Sequence, residues 1–335
     1  MRKVLITGSA GFIGYHLAQL LLDEGFAVIG YDGTTDYYDV ALKQRRHQML
    51  GQNEHFRAHE GMLEDFDRLR DLALAEKPDI IVHLAAQAGV RYSLENPRAY
   101  LDSNLVGTFN VMEIARELNV DHLLMASTSS VYGANENMPF AEKDKADTPL
   151  TFYAATKKAN EAMAHSYAHL WSIPTTMFRF FTVYGPWGRP DMAHFKFTRA
   201  ILEGTPIDVY NEGEMMRDFT YVDDLVAAIV ALADVVPDPA TPVAGDSLSP
   251  VGPFRIVNIG NGAPVKLMDY IATIETACGR QAQKNFLPMQ PGDVPATWAD
   301  TALLDRLVGP RQVTPLQTGM SRFVDWYRDY YQIGV

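Results

Sequence analysis

The sequence predicts an α/β fold in which helices cover both faces of a doubly wound parallel sheet. Apolar runs of strand length alternate with segments of helical periodicity along the amino-terminal half. Val4–Thr7, a β-branched and apolar run, leads into a glycine-rich turn and a helix, and the next run, Ala27–Tyr31, ends in Asp32. Strand, turn, helix and strand in this order are typical of folds whose crossovers return to a parallel sheet.

Composition excludes several classes of protein. The chain has 335 residues, 47% of them hydrophobic, enough for one large domain or two closely joined domains. A formal net charge of −12 disfavours nucleic acid and anionic membranes as partners, but is compatible with a local basic pocket for phosphate. The single cysteine, Cys278, excludes an internal disulfide and a cysteine metal cluster, so we expect no metal site and a reducing compartment.

The amino terminus gives no targeting signal. MRKVLITGSAG enters a strand and a turn directly, without a signal-peptide hydrophobic region. No apolar run approaches the ~20 residues that span a bilayer. We therefore expect a cytoplasmic protein without a membrane partner.

The glycine-rich turn is the first candidate binding site. Gly8, Gly11 and Gly14 follow a GxxGxxG spacing, and Phe12 and Ile13 open the helix that comes next. Glycines let the backbone approach a pyrophosphate, and the free N–H groups of a helix N-terminus attract its negative charge. We therefore expect this turn to bind a dinucleotide.

Asp32 indicates which dinucleotide is bound. A carboxylate at the end of the second strand can accept hydrogen bonds from the adenosine ribose hydroxyls, and it would repel a 2′-phosphate. No arginine follows it immediately, so the sequence favours NAD over NADP as the cofactor. The alternative interpretation of Asp32 is a turn residue before Gly33.

The next elements carry weaker signals. The polar and aromatic segment 37–52 is interpreted as a solvated helix or loop that includes Lys43, Arg45 and Arg46. Beyond it the sequence predicts a strand at 56–63, a helix at 66–75, a strand at 78–86 and a helix at 101–118. The small residues that end the 78–86 strand suit packing against a cofactor, whereas His83 is expected to be a core histidine with satisfied hydrogen bonds.

Thr151–Asn160 predicts the start of a helix that carries Tyr153 and Lys157 one turn apart on one face. A phenol has a pKa of about 10, so a tyrosine that shuttles protons near neutrality needs a cation to stabilise its anion. Lys157 is placed to supply that cation. Such pairs also arise by chance, but here a hydroxyl run, Ser127–Ser130, ends an apolar strand upstream. The alternative is that this run only caps the end of a strand.

The carboxyl-terminal half continues the alternation. A strand at 174–181 is followed by the turn-rich segment 182–190, and loops at the carboxyl ends of strands commonly bear function. An apolar helix is predicted from about 222 to 235, and the Pro-, Gly- and Ser-rich segment 237–253 is predicted to be an exposed loop. A strand at 254–260 and helices at 268–278 and 318–330 complete the chain.

Seven segments together resemble the extended short-chain dehydrogenase/reductase family, and within it the nucleotide-sugar 4-epimerases. They are GSAGFIG, HLAAQAGVRYS, STSSVYG, YAATKKANE, FRFFTVYGPWGRPDM, RDFTYVDD and QPGDVPATWAD. The resemblance implies a Rossmann domain that holds NAD tightly and a smaller carboxyl-terminal α/β domain that closes over a UDP-sugar. Residues 1–180, with a returning segment at about 220–258, would form the first domain, and residues 181–219 and 259–335 the second.

The resemblance also implies roles for individual residues. Tyr153 would be the acid/base, Lys157 would lower its pKa and bind the nicotinamide ribose, and Thr128 would bond the sugar O4. Besides the glycine turn, the implied cofactor contacts are Asp32, Lys43, Leu63, Leu84, Ala85 and Ala86. The implied UDP contacts are Arg189, Tyr210, Arg217 and Asp293.

The implied reaction is inversion at C4 of UDP-glucuronate, which gives UDP-galacturonate, with the C4 hydride carried by NAD and the O4 proton by Tyr153. The 4-keto intermediate is a β-keto acid that can lose carbon dioxide. Hydroxyls of Ser129, Ser130 and Thr182 are candidates to fix the carboxylate through charge-assisted hydrogen bonds. Arg91 is a further cationic candidate, or else it forms an exposed structural ion pair.

Other functions stay open at this point. Related dehydratases and decarboxylases place carboxylates after the active-site hydroxyl, where this chain has two serines, and this disfavours both reactions. Gln290 stands where galactose-type enzymes commonly carry arginine. The alternatives are an epimerase of UDP-galactose or an N-acetylhexosamine, a UDP-glucuronate decarboxylase and a redox-sensing dinucleotide-binding module. The resemblance also implies a homodimer formed by helices around 101–118 and 153–170.

Overall fold

The structure, a computed structural model, describes residues 1–290 and 292–334. Its strands are β1 (Lys3–Thr7), β2 (Ala27–Asp32), β3 (Phe56–Glu60), β4 (Ile80–His83), β5 (His122–Thr128), β6 (Thr175–Phe180), β7 (Thr182–Tyr184), β8 (Ile207–Tyr210), β9 (Met216–Tyr221), β10 (Phe254–Ile259), β11 (Pro264–Lys266), β12 (Lys284–Leu287) and β13 (Ala296–Thr297). Its helices are α1 (Phe12–Asp23), α2 (Val40–Leu50), α3 (Phe66–Glu76), α4 (Tyr92–Glu95), α5 (Pro97–Tyr100), α6 (Gly107–Leu118), α7 (Phe152–Trp171), α8 (Ala193–Glu203), α9 (Val222–Ala233), α10 (Leu267–Cys278), α11 (Ala302–Val308) and α12 (Leu316–Tyr331).

A seven-stranded parallel sheet, the main sheet, organises the molecule. Its strand order is β10-β6-β5-β4-β1-β2-β3. β2 and β3 are added on one side of β1 and the later strands on the other side, so the order of the strands reverses between β1 and β4. All six strand pairs are parallel. Such a reversal opens a crevice at the carboxyl ends of the strands, where ligands bind in open α/β sheets. The predicted doubly wound parallel sheet of the Rossmann type is confirmed.

Helices bury both faces of the main sheet. On one face α1 and α9 pack together, and on the other face α3, α6 and α7 lie against the sheet. Strands covered on both faces read as continuous apolar runs, as β1 and β4 do. The buried residues that α1 and α9 contribute include Leu17, Leu21, Leu225 and Ile229, and those of α6 and α7 include Val111, Met112, Ala164 and Ala168.

A second, smaller layer structure contains β7, β8, β9, β11, β12 and β13 with α8, α10 and α12. β9 pairs with β7, β11 and β13, and β8 pairs with β12. Its core is largely aromatic, and Phe219 stacks on Tyr270 with ring centres 3.7 Å apart. The core residues of this part come from segments on both sides of α9. Within the residues described, no helix is long and apolar enough to cross a membrane.

Several element predictions need correction. The strand predicted at 56–63 ends at Glu60, and the strand predicted at 78–86 ends at His83, because the chain turns away from the sheet to line the crevice. The segment 237–253 contains no helix or strand but is only partly exposed, since Asp246 is buried. His83 is a core residue as predicted, with its two ring nitrogens 2.7 Å from the Thr7 hydroxyl and 2.9 Å from the Thr108 hydroxyl.

The prediction of a solvated segment at 37–52 is wrong for its two central cations. Lys43 and Arg46 lie on the buried face of α2. Arg46 donates to the carbonyl oxygens of Ala10 at 2.7 Å and Trp187 at 2.6 Å. The arginine therefore joins the glycine turn to the loop after β7, a long-range contact that the polar character of the segment did not indicate.

Candidate active site

Two adjoining cavities open at the carboxyl edge of the main sheet. Every residue predicted to contact the cofactor lines the first cavity, and every residue predicted to contact the substrate lines the second. The two cavities share part of their wall. The shared wall consists of Tyr37, Thr128, Tyr153, Phe181, Arg189 and Met192. The sequence-predicted acid/base and its neighbouring hydroxyl therefore lie where the cavities meet.

The glycine turn is shaped for close backbone approach. Gly8 has a φ of +79°, and its N–H donates to the Tyr31 carbonyl oxygen at 2.8 Å. A Cβ on Gly14 would lie 2.1 Å from the Gly8 carbonyl oxygen, so any side chain there would displace the turn. Helix α1 begins without a side-chain cap at Gly11, which leaves first-turn N–H groups for an anion.

Asp32 both orders a turn and lines the first cavity. Its carboxylate accepts hydrogen bonds from the Ala10 N–H at 2.9 Å and the Thr34 N–H at 2.8 Å. The two interpretations of Asp32 are therefore compatible. Lys43 lies nearby, with its ammonium donating to the Thr35 carbonyl oxygen at 2.5 Å, and burial lowers the pKa of Lys43.

The donor set of the first cavity fits a dinucleotide. Free N–H groups of a helix terminus suit a pyrophosphate, and the Asp32 carboxylate suits ribose hydroxyls. Leu84, Ala85 and Leu63 supply apolar walls. Within residues 1–290 and 292–334, no three His, Cys, Asp or Glu side chains cluster in a way that could hold a metal ion.

Tyr153 and Lys157 lie in the first two turns of α7, as predicted. The Thr151 hydroxyl caps this helix by accepting from the Ala154 N–H at 3.2 Å. Burial raises the pKa of Tyr153, while hydrogen bonding with Thr128 and the charge of Arg189 act to lower it. Lys157 is buried, and its ammonium donates to the Ala126 carbonyl oxygen at 3.0 Å. Burial lowers the pKa of Lys157 to about 8.

The pKa shifts of Tyr153 and Lys157 differ from those expected from the sequence. We expected the ammonium of Lys157 to lower the pKa of Tyr153, but the groups that lower it in the structure are Thr128 and Arg189. The reason is that Lys157 points to the end of β5 and bonds a backbone carbonyl there. The pKa of Tyr153 in this structure is raised, because burial outweighs both opposing contributions.

The hydroxyl run ends β5 and starts a 3₁₀ turn, Ser129–Tyr132. Thr128 caps that turn, since its side-chain oxygen accepts from the Ser130 N–H at 3.2 Å. Its hydroxyl also lies 3.2 Å from the Ser130 hydroxyl. The run therefore does cap a structural element, and it also presents Ser129 and Ser130 to the second cavity, together with Thr182 of β7.

Arg189 is held at the shared wall by an ion pair. Its guanidinium donates to both carboxylate oxygens of Asp191, at 3.0 and 2.5 Å. The Tyr37 hydroxyl donates to the same carboxylate at 3.2 Å. Sequence reasoning missed Tyr37 and Asp191. Asp191 stands two residues after Arg189 in the GRPDM segment, a spacing that could have indicated the pair, whereas Tyr37 carried no signal.

Arg91 lines the second cavity, as Ser129 and Ser130 of the hydroxyl run do. It is 3.2 Å from the Asp293 carboxylate, and its guanidinium carbon lies 5.0 Å from the centre of the Tyr210 ring. The ion pair of Arg91 with Asp293 is present and Arg91 also lines the second cavity, so both interpretations of Arg91 stay open. Arg217, whose pKa is lowered by burial and raised in part by Asp293, lines the same region. Four predicted UDP contacts and Arg91 thus share one cavity, with Arg189 at its border.

The fold and the two cavities define an extended short-chain dehydrogenase/reductase. The profile of the NAD dependent epimerase/dehydratase family matches residues 4–244. The chain belongs to this family.

Individual relatives match over nearly the whole chain. A protein of Rhizobium meliloti (strain 1021) named probable UDP-glucuronate 4-epimerase is 57% identical over 334 residues, with 98% of each chain covered. UDP-glucuronate 4-epimerase 4 of Arabidopsis thaliana is 45% identical, and the match covers 98% of this chain and 76% of the relative. The crystal structure of UDP-glucuronic acid 4-epimerase from Bacillus cereus with UDP-glucuronic acid and NAD has a TM-score of 0.88 at 32% identity, covering 98% of this chain and 100% of that one.

Proposed function

We propose that the protein is an isomerase, a UDP-glucuronate 4-epimerase, that inverts C4 of UDP-glucuronate to give UDP-galacturonate. The observation that carries the proposal is the shared wall, which puts Tyr153 and Thr128 in contact with both the cofactor cavity and the second cavity. Relatives and a solved structure with names of this activity support it.

Tyr153 is proposed to take the proton from the sugar O4 and to return it after the 4-keto sugar has turned over. Thr128 lines both cavities together with Tyr153 and is proposed to bond O4. Lys157, whose pKa burial lowers to about 8, would be mostly protonated at pH 7 and is proposed to bind the nicotinamide ribose. Acid/base transfer of this kind commonly contributes about 10²- to 10⁴-fold to the rate.

When bound, NAD would supply the hydride acceptor and donor that inversion at C4 needs. The residues proposed to hold it are those of the glycine turn with Asp32, Lys43, Leu63 and Lys157. The apolar run Leu84–Ala86 would exclude water from one side of the nicotinamide. Because oxidation and reduction cancel within one turnover, no net redox partner is needed.

Retention of the carboxyl group is assigned to Ser129, Ser130 and Thr182. Their hydroxyls line the second cavity beside Tyr153, and charge-assisted hydrogen bonds to a carboxylate are short and directional. Such bonds can keep the C5–C6 bond from standing perpendicular to the plane of the 4-keto group, the orientation in which carbon dioxide is lost. Arg189, Arg217, Tyr210 and Asp293 are proposed to hold the diphosphate and uridine.

The test is incubation of purified protein with UDP-glucuronate and NAD, with products identified by NMR. We expect UDP-galacturonate without carbon dioxide. Faster conversion of UDP-glucose would instead assign a neutral sugar to the site, and a UDP-pentose with carbon dioxide would assign decarboxylation. Absence of any turnover, with dinucleotide bound, would favour the redox-sensing alternative.

We also propose a homodimer and the domain division given by the sequence, with NAD bound by 1–180 and about 220–258 and the UDP-sugar by 181–219 and 259–335. Support for the dimer comes from apolar side chains exposed on α7 and at the start of the neighbouring helix, Phe152, Leu170, Trp171, Val106 and Phe109. Light scattering of the wild type and of Phe109→Glu tests it. A wild type with the mass of one chain would contradict the dimer.

A further inference from the structure

A buried row of polar side chains includes Ser127, the first residue of the hydroxyl run, and the proposed mechanism does not use it. Ser127, Arg179 and Asn258 are lateral neighbours on β5, β6 and β10 of the main sheet, each one residue before its strand ends. All three are buried. Polar groups at this depth cost free energy unless they are paired, so their partners define what the row does.

On one side the row is tied to α7. The Arg179 guanidinium donates to the two carboxylate oxygens of Glu161 at 2.8 and 2.8 Å, and the side chains of both residues are only 2% exposed. The Ser127 hydroxyl donates to the same carboxylate at 2.7 Å. Glu161 follows Lys157 by one helical turn and Tyr153 by two. The acid/base helix and the residue before Thr128 therefore share one anchor.

On the other side the row is tied to the end of the 3₁₀ turn. The guanidinium carbon of Arg179 lies 4.6 Å from the centre of the Tyr132 ring. The Tyr132 hydroxyl donates to Asn258 at 2.7 Å. Ser127 and Tyr132 flank the segment that carries Thr128, Ser129 and Ser130. The segment is thus fixed at both of its ends to the same buried ion pair, through Glu161 at Ser127 and through Arg179 at Tyr132.

We propose that the Arg179–Glu161 ion pair positions the hydroxyl run. It holds Thr128, Ser129 and Ser130 in place relative to Tyr153 and so determines how completely the carboxyl group is retained. Neither residue of the pair lines the two cavities, so both act through their neighbours. The inference rests on the proposed function, because it concerns the uronate carboxyl group.

Displacement of the hydroxyl run relative to Tyr153 has a defined chemical outcome. In the 4-keto sugar the C5–C6 bond breaks when it stands perpendicular to the plane of the C4 carbonyl group. Its electron pair then moves to C5 and the C4 oxygen. Carbon dioxide leaves, a proton from solvent enters at C5, and return of the hydride gives a UDP-pentose. The fraction of UDP-pentose among the products therefore reports the position of the hydroxyl run.

The chain contains a matched control for this ion pair. Arg255 donates to the two carboxylate oxygens of Asp246 at 2.9 and 3.0 Å, and both side chains are 3% exposed. Arg255 is on β10, three residues before Asn258, near the amino-terminal end of that strand. The two pairs are similar in geometry and burial, but only the Arg179–Glu161 pair contacts the hydroxyl run, through Ser127.

The experiment compares Glu161→Gln with Asp246→Asn, using NMR product analysis, initial rates and thermal unfolding. We expect both variants to lose stability, whereas only Glu161→Gln raises the UDP-pentose fraction. Its kcat should fall on the order of 100-fold, since a displacement of about 1 Å at a reacting group can cost that much. KM should change little because the UDP contacts are untouched.

Ser127→Ala and Ser249→Ala form a milder pair in case Glu161→Gln does not fold. Ser127→Ala leaves the ion pair intact and removes one tie to it, so the UDP-pentose fraction should rise by less. Ser249 is a buried serine whose hydroxyl lies 2.8 Å from the His165 ring, away from the site, and its replacement should leave the products unchanged.

Wild-type product ratios in both Glu161→Gln and Ser127→Ala, or in Ser127→Ala alone if Glu161→Gln is unfolded, would overturn the inference. An equal shift in Asp246→Asn would also overturn it, because general loss of stability would then explain the products. A wild type that does not convert UDP-glucuronate would count against the proposed function instead.

Discussion

The two cavities are built in different ways, although they share a wall. The cofactor cavity is formed mostly by consecutive strand ends in the first 130 residues, with backbone and apolar groups prominent in its lining. The second cavity is assembled from segments far apart in the chain, and it contains Arg91, Lys196, Arg217, Asp208 and Asp293. The glycine turn shapes the first cavity, whereas charged side chains from distant segments meet in the second. Substitutions should separate the two accordingly.

The largest effect is expected at the shared wall. Tyr153→Phe removes the proton carrier, and we expect kcat to fall by about 10²- to 10⁴-fold while the Kd of UDP-glucuronate changes by no more than a few-fold. Tyr100→Phe is the control, since its ring lies 5.9 Å from that of Tyr153 but its hydroxyl bonds the backbone at Ala88. Full turnover of Tyr153→Phe by NMR assay would remove the proposed acid/base.

Shape in the cofactor cavity is tested by Gly14→Ala. The new Cβ would lie 2.1 Å from a carbonyl oxygen of the glycine turn, so the turn must shift. Overpacking typically costs about 1–3 kcal/mol, and we expect the Kd of NAD to rise about 10- to 100-fold in calorimetric titration. In Gly204→Ala the Cβ enters open space at a φ of +74°, so only stability should decrease. Unchanged NAD binding by Gly14→Ala would contradict this account.

Charge in the second cavity is tested by Arg217→Met. Hydrogen bonds to charged groups are worth about 1.5–3 kcal/mol, so the Kd of UDP should rise about 10- to 100-fold with NAD affinity unchanged. Arg199→Met removes an exposed guanidinium of α8, whose partner is Glu203, and should leave both affinities unchanged. Equal losses of NAD and UDP affinity in Arg217→Met would show that the cavities do not differ as described.

Lys157→Met gives a pH-dependent stability effect in the cofactor cavity. Burial lowers the pKa of Lys157 from 10.5 to about 8, so carrying the charge at pH 7 costs the folded protein about 3 kcal/mol. We expect the nucleotide-free variant to have a Tm a few degrees above wild type at pH 7. Between about pH 8 and 10.5 the folded wild type releases this proton before the unfolded chain does, so its stability rises with pH.

The advantage of Lys157→Met should therefore shrink across that interval in calorimetric scans. A constant advantage from pH 7 to pH 10 would mean that the lysine is not the group that titrates. Lys3, on β1 and outside the cavities, provides the control substitution Lys3→Met.

The smallest effect is expected for Arg91→Ala. Its ion pair with Asp293 is half exposed, and such pairs contribute about 0–1 kcal/mol, so the Kd of UDP-glucuronate should change by only a few-fold. The change should decrease further in high salt because exposed charges are screened. Arg98→Ala removes an exposed ion pair outside the cavities and serves as the control. A 100-fold change would assign Arg91 a direct role in binding.

The sequence predicts the cofactor cavity well because its determinants are local. The GxxGxxG spacing, the strand before it and Asp32 are close together in the chain, so their chemistry is readable without tertiary contacts. The second cavity was predicted only through family resemblance, since Arg91 and Asp293 are 202 positions apart in the chain and Arg217 lies between them.

 The first and last of these three residues meet only in the folded chain, where Arg91 lies 3.2 Å from Asp293.

Two kinds of contact escaped sequence reasoning for a physical reason. Arg46 looks like a surface cation of a polar helix, and only the packing of α2 against the glycine turn makes it buried. Likewise, the pKa of Tyr153 depends on depth and on Thr128, which helical spacing alone does not report. Local spacing places Tyr153 and Lys157 on one face, but the direction of the lysine side chain depends on the strand that ends opposite it.

The wall common to both cavities has a practical consequence for inhibitor design. Because Tyr153 and Thr128 line both cavities, a single compound that carries a nicotinamide-like ring joined to a uronate is designed to contact these residues from both sides. Such a bisubstrate compound gains the affinity of each half while losing translational freedom only once. The same wall therefore offers a route to selectivity over enzymes that bind only one of the two nucleotides.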